Sequence, residues 1–535
     1  MNYNQSQKKK KSIKTVIVWL VILTIAIITF FIIYKNVITK VTIDNIVYKL
    51  HSDGTAEIIK SKGELRGDIK IPSEIKKYGN EYKIVKADIK FQMGGVISIK
   101  FSEGIKKVSL YKGNFMRKII LPSSLESFNL YSITSRTYTG YGSKIPYYNN
   151  TFGELNVNEY NQMCFLGNEE NPYLVLIRIS DDFNQTDVDI PEGTKIIMKE
   201  AFAGAKCIQN ISTPKTLLNV EKDAFYDCKC EEISSFDIPI DSQLKYLDGL
   251  SDFTNIKHIY IPKNLETVDL TSMIGLQTIS VSEENGKYDS RNDCNALIET
   301  STNTLLAGTS ISTIPNTVSK IGNKAFYGRT LSNIEIPSSI KTIGDCAFQS
   351  CKNVSSVNIA EGVTKIGEKS FNFTFDSVLE IPDTVEEIGE DAFSGIHKLI
   401  VPFIGKKRGN NKKPRNKKEI RIEWFGNLEY DLLILKTLKE TVIHTEAMDY
   451  RGAWGSNIKI KRFCVDGNYT IKVNAFSKAS IKETYISSKV KNIERDTFCG
   501  VIYCEDEQLP AGWSPYFATN IIWGYSYEEW LKNDE

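Results

Sequence analysis

The sequence predicts a repeat solenoid of the α+β class, with short strands in each coil, preceded by one transmembrane helix. Three observations carry this prediction. Four segments between Ile314 and Phe393 align without gaps, a β-branched residue recurs at a fixed place in each, and an uncharged run occupies 15–34. Stacked repeats allow a chain of 535 residues to form one extended array rather than several ordinary domains.

The repeated segments are IPNTVSKIGNKAF, IPSSIKTIGDCAF, IAEGVTKIGEKSF and IPDTVEEIGEDAF, and their phenylalanines lie 22 or 23 residues apart. The same spacing of eleven residues between the proline position and phenylalanine recurs from Pro191, Pro214, Val465 and Ser487. Eight coils therefore share one register. Their phenylalanines are Phe202, Phe225, Phe326, Phe348, Phe371, Phe393, Phe476 and Phe498.

Fixed positions in the repeat predict the core, because stacked coils bury equivalent side chains in columns. The residue before each phenylalanine is Ala, Ser or Thr, which indicates close contact with the next coil. Five residues before each phenylalanine stands Ile or Val, which favours a short buried strand. Glycine follows it at Gly322, Gly344, Gly367 and Gly389, whereas the outer coils have Met, Glu or Lys. We therefore predict an ordinary backbone conformation there, with glycine convenient and not obligatory.

The full pattern, I-P-x-x-V-x-x-I-G-x-x-A-F-x-x-C, resembles the BspA-like leucine-rich repeat family, and Cys228 and Cys351 fall on its cysteine position. The resemblance implies a β-rich N-terminal cap at 41–70, a leucine-rich-repeat solenoid over 71–500, and a β-rich C-terminal cap at 501–535. The segments CFLGNEENPYLVLI and NALIETSTNTLLAG resemble β-hairpins that the family inserts between coils. The predicted insertions are 131–152, 155–180, 282–308 and 405–462.

The uncharged run at 15–34 contains fourteen Val, Ile, Leu or Phe residues. At about 1.5 Å per residue, a helix of this length crosses the hydrocarbon layer of about 30 Å. The lysine-rich tail at 1–14 places the N-terminus in the cytoplasm by the positive-inside rule. The sequence thus predicts a single-pass membrane protein with an extracellular solenoid. A cleaved signal peptide is the alternative, although no small-x-small cleavage site follows the run.

The sequence indicates no catalytic, cofactor or metal site, and we expect a protein that is not an enzyme. The four histidines lie far apart, and no nucleophile elbow, dinucleotide fingerprint or P-loop occurs. A net charge of +2 argues against a nucleic-acid partner. The ten cysteines form no paired C-x-x-C motifs and are interpreted mainly as small buried side chains. Their disulfide pairing is left open.

The insertion at 131–152, YSITSRTYTGYGSKIPYYNNTF, is the first candidate binding loop. It combines Tyr, Ser, Gly and Asn, and rigid tyrosines give contact area at low entropic cost. The alternative is an ordinary surface excursion whose tyrosines pack back on the solenoid. The candidate residues are Tyr138, Tyr141, Tyr147 and Tyr148.

The second candidate is GKKRGNNKKPRNKK at 405–418, with eight basic residues and no acidic one. Such a segment attracts anionic glycans, wall polymers or lipid head groups through its summed charge. The alternative is a solvated linker. The candidate residues are Lys406, Lys407, Arg408, Lys412, Lys413, Arg415, Lys417 and Lys418.

The family resemblance implies a membrane-anchored cell-surface recognition or adhesion protein. We expect its partner to be a protein or glycan on a host, matrix or neighbouring cell surface, with the membrane contacted through the N-terminal helix and no cofactor bound. The alternative function is a structural component of the cell envelope without a specific foreign ligand. The sequence leaves the ligand, the source and the oligomeric state open.

Overall fold

The computed structural model describes Thr24 and several longer stretches of the chain. These stretches form two compact units. The first unit consists of the described parts of 1–184, 190–206 and 216–229, and the second of those of 185–189, 207–215 and 230–535. The described stretches are 40–89, 95–112, 115–132, 155–228, 230, 233–250, 253–402, 419–420, 429–443, 459–476 and 479–532.

Strands build the first unit, and they are numbered here in chain order across both units. They are β1 (Lys40–Ile43), β2 (Ile46–Leu50), β3 (Thr55–Ser61), β4 (Arg66–Ile71), β5 (Glu74–Lys77), β6 (Asn80–Ile89), β7 (Gly95–Phe101), β8 (Lys107–Lys112), β9 (Lys118–Ile120), β10 (Ser127–Ser132), β11 (Asn158–Tyr160), β12 (Met163–Leu166), β13 (Val175–Ile179), β15 (Ile196–Ile197) and β17 (Asn219–Val220).

The first unit begins with an antiparallel meander of β1, β2 and β3. From β3 onward the sheet continues in parallel through β6, β8 and β10, as expected when each coil returns to the same starting side. A second parallel sheet contains β4, β7 and β9. Alternate residues, such as Ile58, Val108 and Phe128, are buried in the core. The hairpin expected in CFLGNEENPYLVLI is present as antiparallel β12 and β13.

The second unit has one short α-helix, α1 (Tyr527–Lys532), and a 3-10 turn (Arg291–Asp293) in its described part. Its strands are β14 (Asp187–Asp189), β16 (Asn210–Ser212), β18 (Ser235–Asp237), β19 (Tyr246–Leu247), β20 (His258–Ile261), β21 (Thr267–Val268), β22 (Thr278–Val281), β23 (Tyr288–Asp289), β24 (Leu297–Glu299), β25 (Thr304–Ala307), β26 (Lys320–Ile321), β27 (Asn333–Ile336), β28 (Thr342–Ile343), β29 (Ser356–Ile359), β30 (Lys365–Ile366), β31 (Leu379–Glu380), β32 (Glu387–Ile388), β33 (Lys398–Val401), β34 (Glu419–Ile420), β35 (Glu429–Ile443), β36 (Lys459–Ile471), β37 (Ser480–Ile486), β38 (Asn492–Ile493), β39 (Val501–Cys504) and β40 (Asn520–Trp523).

Most coils of the second unit contribute two strands. One set of strands precedes the proline position, such as β27 and β29, and pairs in parallel. The other set ends on the β-branched residue and forms the ladder β26, β28, β30 and β32. The antiparallel hairpin of β24 and β25, expected in NALIETSTNTLLAG, starts that ladder. Near the C-terminus, nine strands from β31 to β40 share one sheet.

The phenylalanine column predicted from the repeat is confirmed. Phe326, Phe348, Phe371 and Phe393 are at most 3% exposed, and successive ring centroids lie 5.1, 5.4 and 6.1 Å apart in stacked arrangements. The small residue before each ring and the β-branched residue five before it are also buried in all eight coils. Met273 continues the same register, because it lies eleven residues after Pro262 and is fully buried. This coil has methionine in place of the phenylalanine that marks the register in the sequence.

A left-handed residue two places before each phenylalanine closes the turn in all eight coils. Its φ angle lies between 52° and 61° at every one of them, although none is glycine. Such a conformation costs an ordinary side chain about 1 kcal/mol or more, and the packed coil around it compensates for this. These residues are Glu200, Asp223, Lys324, Cys346, Lys369, Asp391, Asn474 and Asp496.

The glycine column behaves differently from the prediction in one respect. Gly322, Gly344, Gly367 and Gly389 have ordinary φ angles, as expected. The view that glycine is only convenient there is wrong for the central coils. A Cβ atom at Gly367 would lie 2.5 Å from the carbonyl carbon of Gly344 and 2.6 Å from the Asp345 nitrogen. The central coils therefore stack too closely to admit any side chain at this column.

The α+β part of the predicted fold class is wrong for the described residues, which form a strand-rich repeat solenoid with almost no helix. The physical reason is the turn, because a left-handed residue two places before the phenylalanine stops helical propagation in each coil. The repeat solenoid itself is confirmed.

The prediction of a single-pass membrane location is also wrong. In the part of the chain that the structure describes, no helix has the length and apolar character that a membrane crossing requires. Helix α1 has six residues and is about 9 Å long, against a hydrocarbon layer of about 30 Å. The segment 15–34, for which the sequence predicts the helix, lies outside the described residues apart from Thr24.

Arg329 joins two coils of the second unit that the inserted hairpin separates. It stands three residues after Phe326, at the cysteine position of the repeat. In the next coil, the Cys351 thiol donates a hydrogen bond to the Phe326 carbonyl at 3.2 Å. Arg329 makes the equivalent bond to the Met273 carbonyl and a second one to the Leu270 carbonyl at 3.2 Å. Arginine thus makes, to a residue 56 positions earlier in the chain, the contact that cysteine makes in the next coil.

Replacing Arg329 with methionine is expected to lower the free energy of unfolding by about 1 to 2 kcal/mol. The side chain is fully buried, and burial lowers the pKa of its guanidinium to about 10. Methionine fills a similar volume but removes the guanidinium donors to the carbonyls of Leu270 and Met273, which keep only their backbone hydrogen bonds from the Met273 and Leu276 N–H groups at 3.2 Å. Urea unfolding followed by tryptophan fluorescence measures the change. An unchanged midpoint would show that these two bonds contribute nothing.

Candidate binding cleft beside β27

The binding loops predicted from the sequence are not placed by the structure. All twelve candidate residues, four tyrosines in 131–152 and eight basic residues in 405–418, lie outside the described residues. They stay predictions. The described residues instead contain a cleft that the sequence analysis did not single out, beside strand β27 in the second unit.

The cleft forms because segment 309–313, in the coil that precedes β27, is bound to the inserted hairpin. The Thr313 backbone N–H donates to the Cys294 carbonyl at 3.1 Å, and the Ser312 hydroxyl donates to the Asn295 carbonyl at 2.5 Å. The same hydroxyl accepts a hydrogen bond from the Thr309 N–H at 2.7 Å. These bonds hold 309–313 to the hairpin, so this segment does not pair with β27.

Strand β27 therefore has one open edge among the described residues. It pairs in parallel with β29, with Asn333 opposite Ser356 and Ile336 opposite Ile359. The Ile336 carbonyl accepts a hydrogen bond from the Ala360 N–H at 3.0 Å on that side. Because neighbouring residues of a strand direct their backbone groups to opposite sides, those of Asn333 and Glu335 point to the open edge.

The floor of the cleft is apolar. It has a volume of about 370 Å³ and reaches down to side chains of the solenoid core, including the rings of Phe326 and Phe348. Ile311, next in sequence to the rim residue Ser312, is 68% exposed. An apolar hollow with an exposed apolar side chain beside its rim is typical of a surface that a partner covers. The remaining apolar lining residues are Ile314, Leu331, Ile334, Ile336, Pro337 and Ala360.

The rim of the cleft is polar and held in place by hydrogen bonds between coils. The Glu335 carboxylate accepts a hydrogen bond from the Asn358 amide at 2.8 Å. The Asn333 side-chain oxygen accepts one from the Ser356 hydroxyl at 2.8 Å. Glu335 is the one charged residue that lines the cleft. The rim therefore carries a fixed negative charge beside the open edge of β27.

The cleft has a lining of mixed chemistry. Its lining combines hydroxyls, amides and one carboxylate with core side chains, without a histidine, cysteine or lysine to assist proton or group transfer. Groups of three or more side chains that could hold a metal ion are absent from the described residues. All ten cysteines lie among the residues that the structure describes. They are free thiols, and six of them are buried. Burial raises the pKa of Cys351 to about 12, which makes its thiol unreactive.

Comparison with known families decides the assignment of the repeats. The model of the BspA type leucine rich repeat region matches six copies, at residues 180–287, 306–407 and 450–511, which is just over half of the chain. The chain belongs to the BspA-type leucine-rich repeat family. The family resemblance noted in the motif is thereby confirmed. The cleft lies within the second matched range, where the BspA-type repeats are most regular.

Comparison with curated proteins gave no match. Among solved structures, the BspA-type chain is similar to the pneumococcal vaccine antigen PcpA, with 13% identity, a TM-score of 0.40, and coverage of 84% of this chain and 94% of that one. It is also similar to a leucine rich cell surface protein from Faecalibacterium prausnitzii, with 15% identity, a TM-score of 0.32, and coverage of 92% and 96%. A leucine-rich repeat protein from Eubacterium ventriosum has 18% identity, a TM-score of 0.35, and coverage of 66% and 90%.

Proposed function

We propose that this protein is a cell-surface recognition protein that binds a macromolecular partner, a protein or a glycan, through its leucine-rich-repeat solenoid. The observation that carries the proposal is the open edge of β27 beside an apolar hollow. Exposed strand edges and apolar hollows are unfavourable in isolation and are common where a partner binds. A repeat array also presents many side chains to a large partner.

The cleft favours recognition over a purely structural role in the cell envelope. A surface that only spaces or organises the cell envelope gains nothing from an uncovered strand edge with core side chains below it. A binding surface uses both features, because the edge supplies directional hydrogen bonds and the hollow supplies apolar contact. The structural envelope role is therefore the alternative against which recognition must be tested.

An array of extracellular-matrix proteins and glycans, probed with the full chain, tests the proposal. We expect saturable binding to at least one arrayed protein or glycan, with a dissociation constant in the micromolar range or tighter, about −8 kcal/mol. A variant without 405–418 shows whether the predicted basic segment contributes to that binding. Absence of saturable binding across the whole array would contradict recognition and favour the structural role.

A further inference from the structure

We infer that the cleft beside β27 binds an extended peptide segment of a partner protein, which adds to β27 as a strand and carries a basic residue near Glu335. This inference rests on the proposed function and names the class of partner for one site. Three features of the cleft support it: its backbone groups, its shape and its charge.

The backbone groups of the open edge favour a peptide. Asn333 and Glu335 each direct one N–H donor and one C=O acceptor away from β29. The two residues are separated along the strand by Ile334 alone. Only another extended backbone offers acceptors and donors in the same alternation, at the spacing of about 4.8 Å between paired strands. The segment 309–313 would pair there in a regular coil, but Cys294 and Asn295 hold it to the hairpin.

The shape of the cleft limits the occupant. A volume of about 370 Å³ is at the lower end of the range of about 300 to 1,000 Å³ found for ligand sites. It accommodates a few side chains and cannot enclose a folded domain. In an added strand, every second side chain points to the same face, so alternate apolar residues would reach the rings of Phe326 and Phe348. A glycan has no comparable apolar side chains for this hollow.

The charge of the cleft selects a cation. Glu335 is exposed, and its carboxylate has a neutral partner, the Asn358 amide. A lysine or arginine of the bound segment would add a charge-assisted hydrogen bond to the free carboxylate lone pairs. An anionic glycan or a nucleic acid would instead be repelled at this position.

Short synthetic peptides test the inference with the full-length protein. The probe is a set of fluorescein-labelled peptides, about eight residues long, in which Val or Leu alternates with Lys and Ser. One control set replaces lysine with glutamate. A second control set has N-methyl groups on alternate amides, which removes backbone donors while keeping the side chains. We expect saturable changes in fluorescence anisotropy with the first set, and binding about tenfold weaker or absent with both controls.

Matched variants locate the binding. Thr313→Trp places a ring at the exposed rim of the cleft, whereas Thr317→Trp places the same ring on an exposed residue of the same loop that does not line the cleft. We expect the first variant to weaken peptide binding about tenfold and the second to leave it unchanged. Glu335→Pro, which removes an edge N–H, should also weaken binding about tenfold, whereas Glu335→Gln should reduce only the preference for lysine.

Each result distinguishes this inference from the broader proposal. If arrayed proteins or glycans bind and Thr313→Trp does not affect them, and if the peptides do not bind, recognition stands and the peptide site is overturned. If neither the array nor the peptides bind, both proposals fail. If Glu335→Pro lowers the unfolding midpoint, the pair Thr313→Trp and Thr317→Trp decides, because both changes are on exposed side chains.

Discussion

Replacement of Phe348 by alanine is expected to lower the free energy of unfolding of the second unit by about 3 to 5 kcal/mol. The ring is 1% exposed and stacks between Phe326 and Phe371, at centroid distances of 5.1 and 5.4 Å. Alanine removes a large apolar surface from both neighbours at once. The surrounding coils cannot collapse into the space, because their backbones are bonded to each other through the Phe348 N–H and the Ser370 carbonyl at 2.8 Å.

Urea unfolding followed by tryptophan fluorescence measures this loss, because Trp513, Trp523 and Trp530 all belong to the second unit. The matched control is Tyr516→Ala in the same unit. Tyr516 is 74% exposed, so removing its ring should change the free energy of unfolding by less than about 0.5 kcal/mol. A loss below about 1 kcal/mol for Phe348→Ala would contradict the stacked column.

The core of this fold was predictable from the sequence because the repeats supply their own comparison. Eight coils in one register show that Phe, a small residue before it and a β-branched residue five before it are fixed. At each of these positions the packing requires a side chain of a certain volume and shape, and the residue type shows both. Burial follows the prediction at all of them, as in Phe202, Ala201 and Ile197, which are at most 1% exposed.

The turn geometry was not predictable, because it depends on the backbone. Glu200, Cys346 and Asn474 all adopt the left-handed conformation two residues before a phenylalanine. Their side chains have little in common, so residue type gives no signal. Glycine, the usual signal for positive φ, stands at a different position, where its role is to allow close contact between coils.

The repeat pattern also did not predict the candidate cleft. Ile314 and Pro315 continue the register, so the pattern predicts a strand before Pro315 that pairs with β27. Hydrogen bonds from Ser312 to Asn295 and from Thr313 to Cys294 divert this segment toward the hairpin. The relevant signal was the inserted hairpin itself, because a segment that follows an insertion can bond to it in place of the next coil.

Gly367→Ala is expected to lower the free energy of unfolding of the second unit by about 2 to 3 kcal/mol, although it adds a single methyl group. The methyl carbon would lie 2.5 Å from the Gly344 carbonyl carbon and 2.6 Å from the Asp345 nitrogen. Both atoms are backbone, so no side chain can rotate away. Relief requires the coils to separate, which weakens the bond from the Gly367 N–H to the Ile343 carbonyl, now 2.9 Å long.

The matched control for this substitution is Gly286→Ala in the same unit. No atom lies within 4 Å of the position that its methyl group would take, and its φ is not positive. Alanine there should leave stability unchanged or raise it by about 0.4 to 1 kcal/mol, because it restricts the unfolded chain. Equal unfolding midpoints for the two variants would show that the central coils can separate freely. Glycine would then be dispensable in this column of the central coils, as it is in the outer coils, where Met198 and Glu221 stand at the same position.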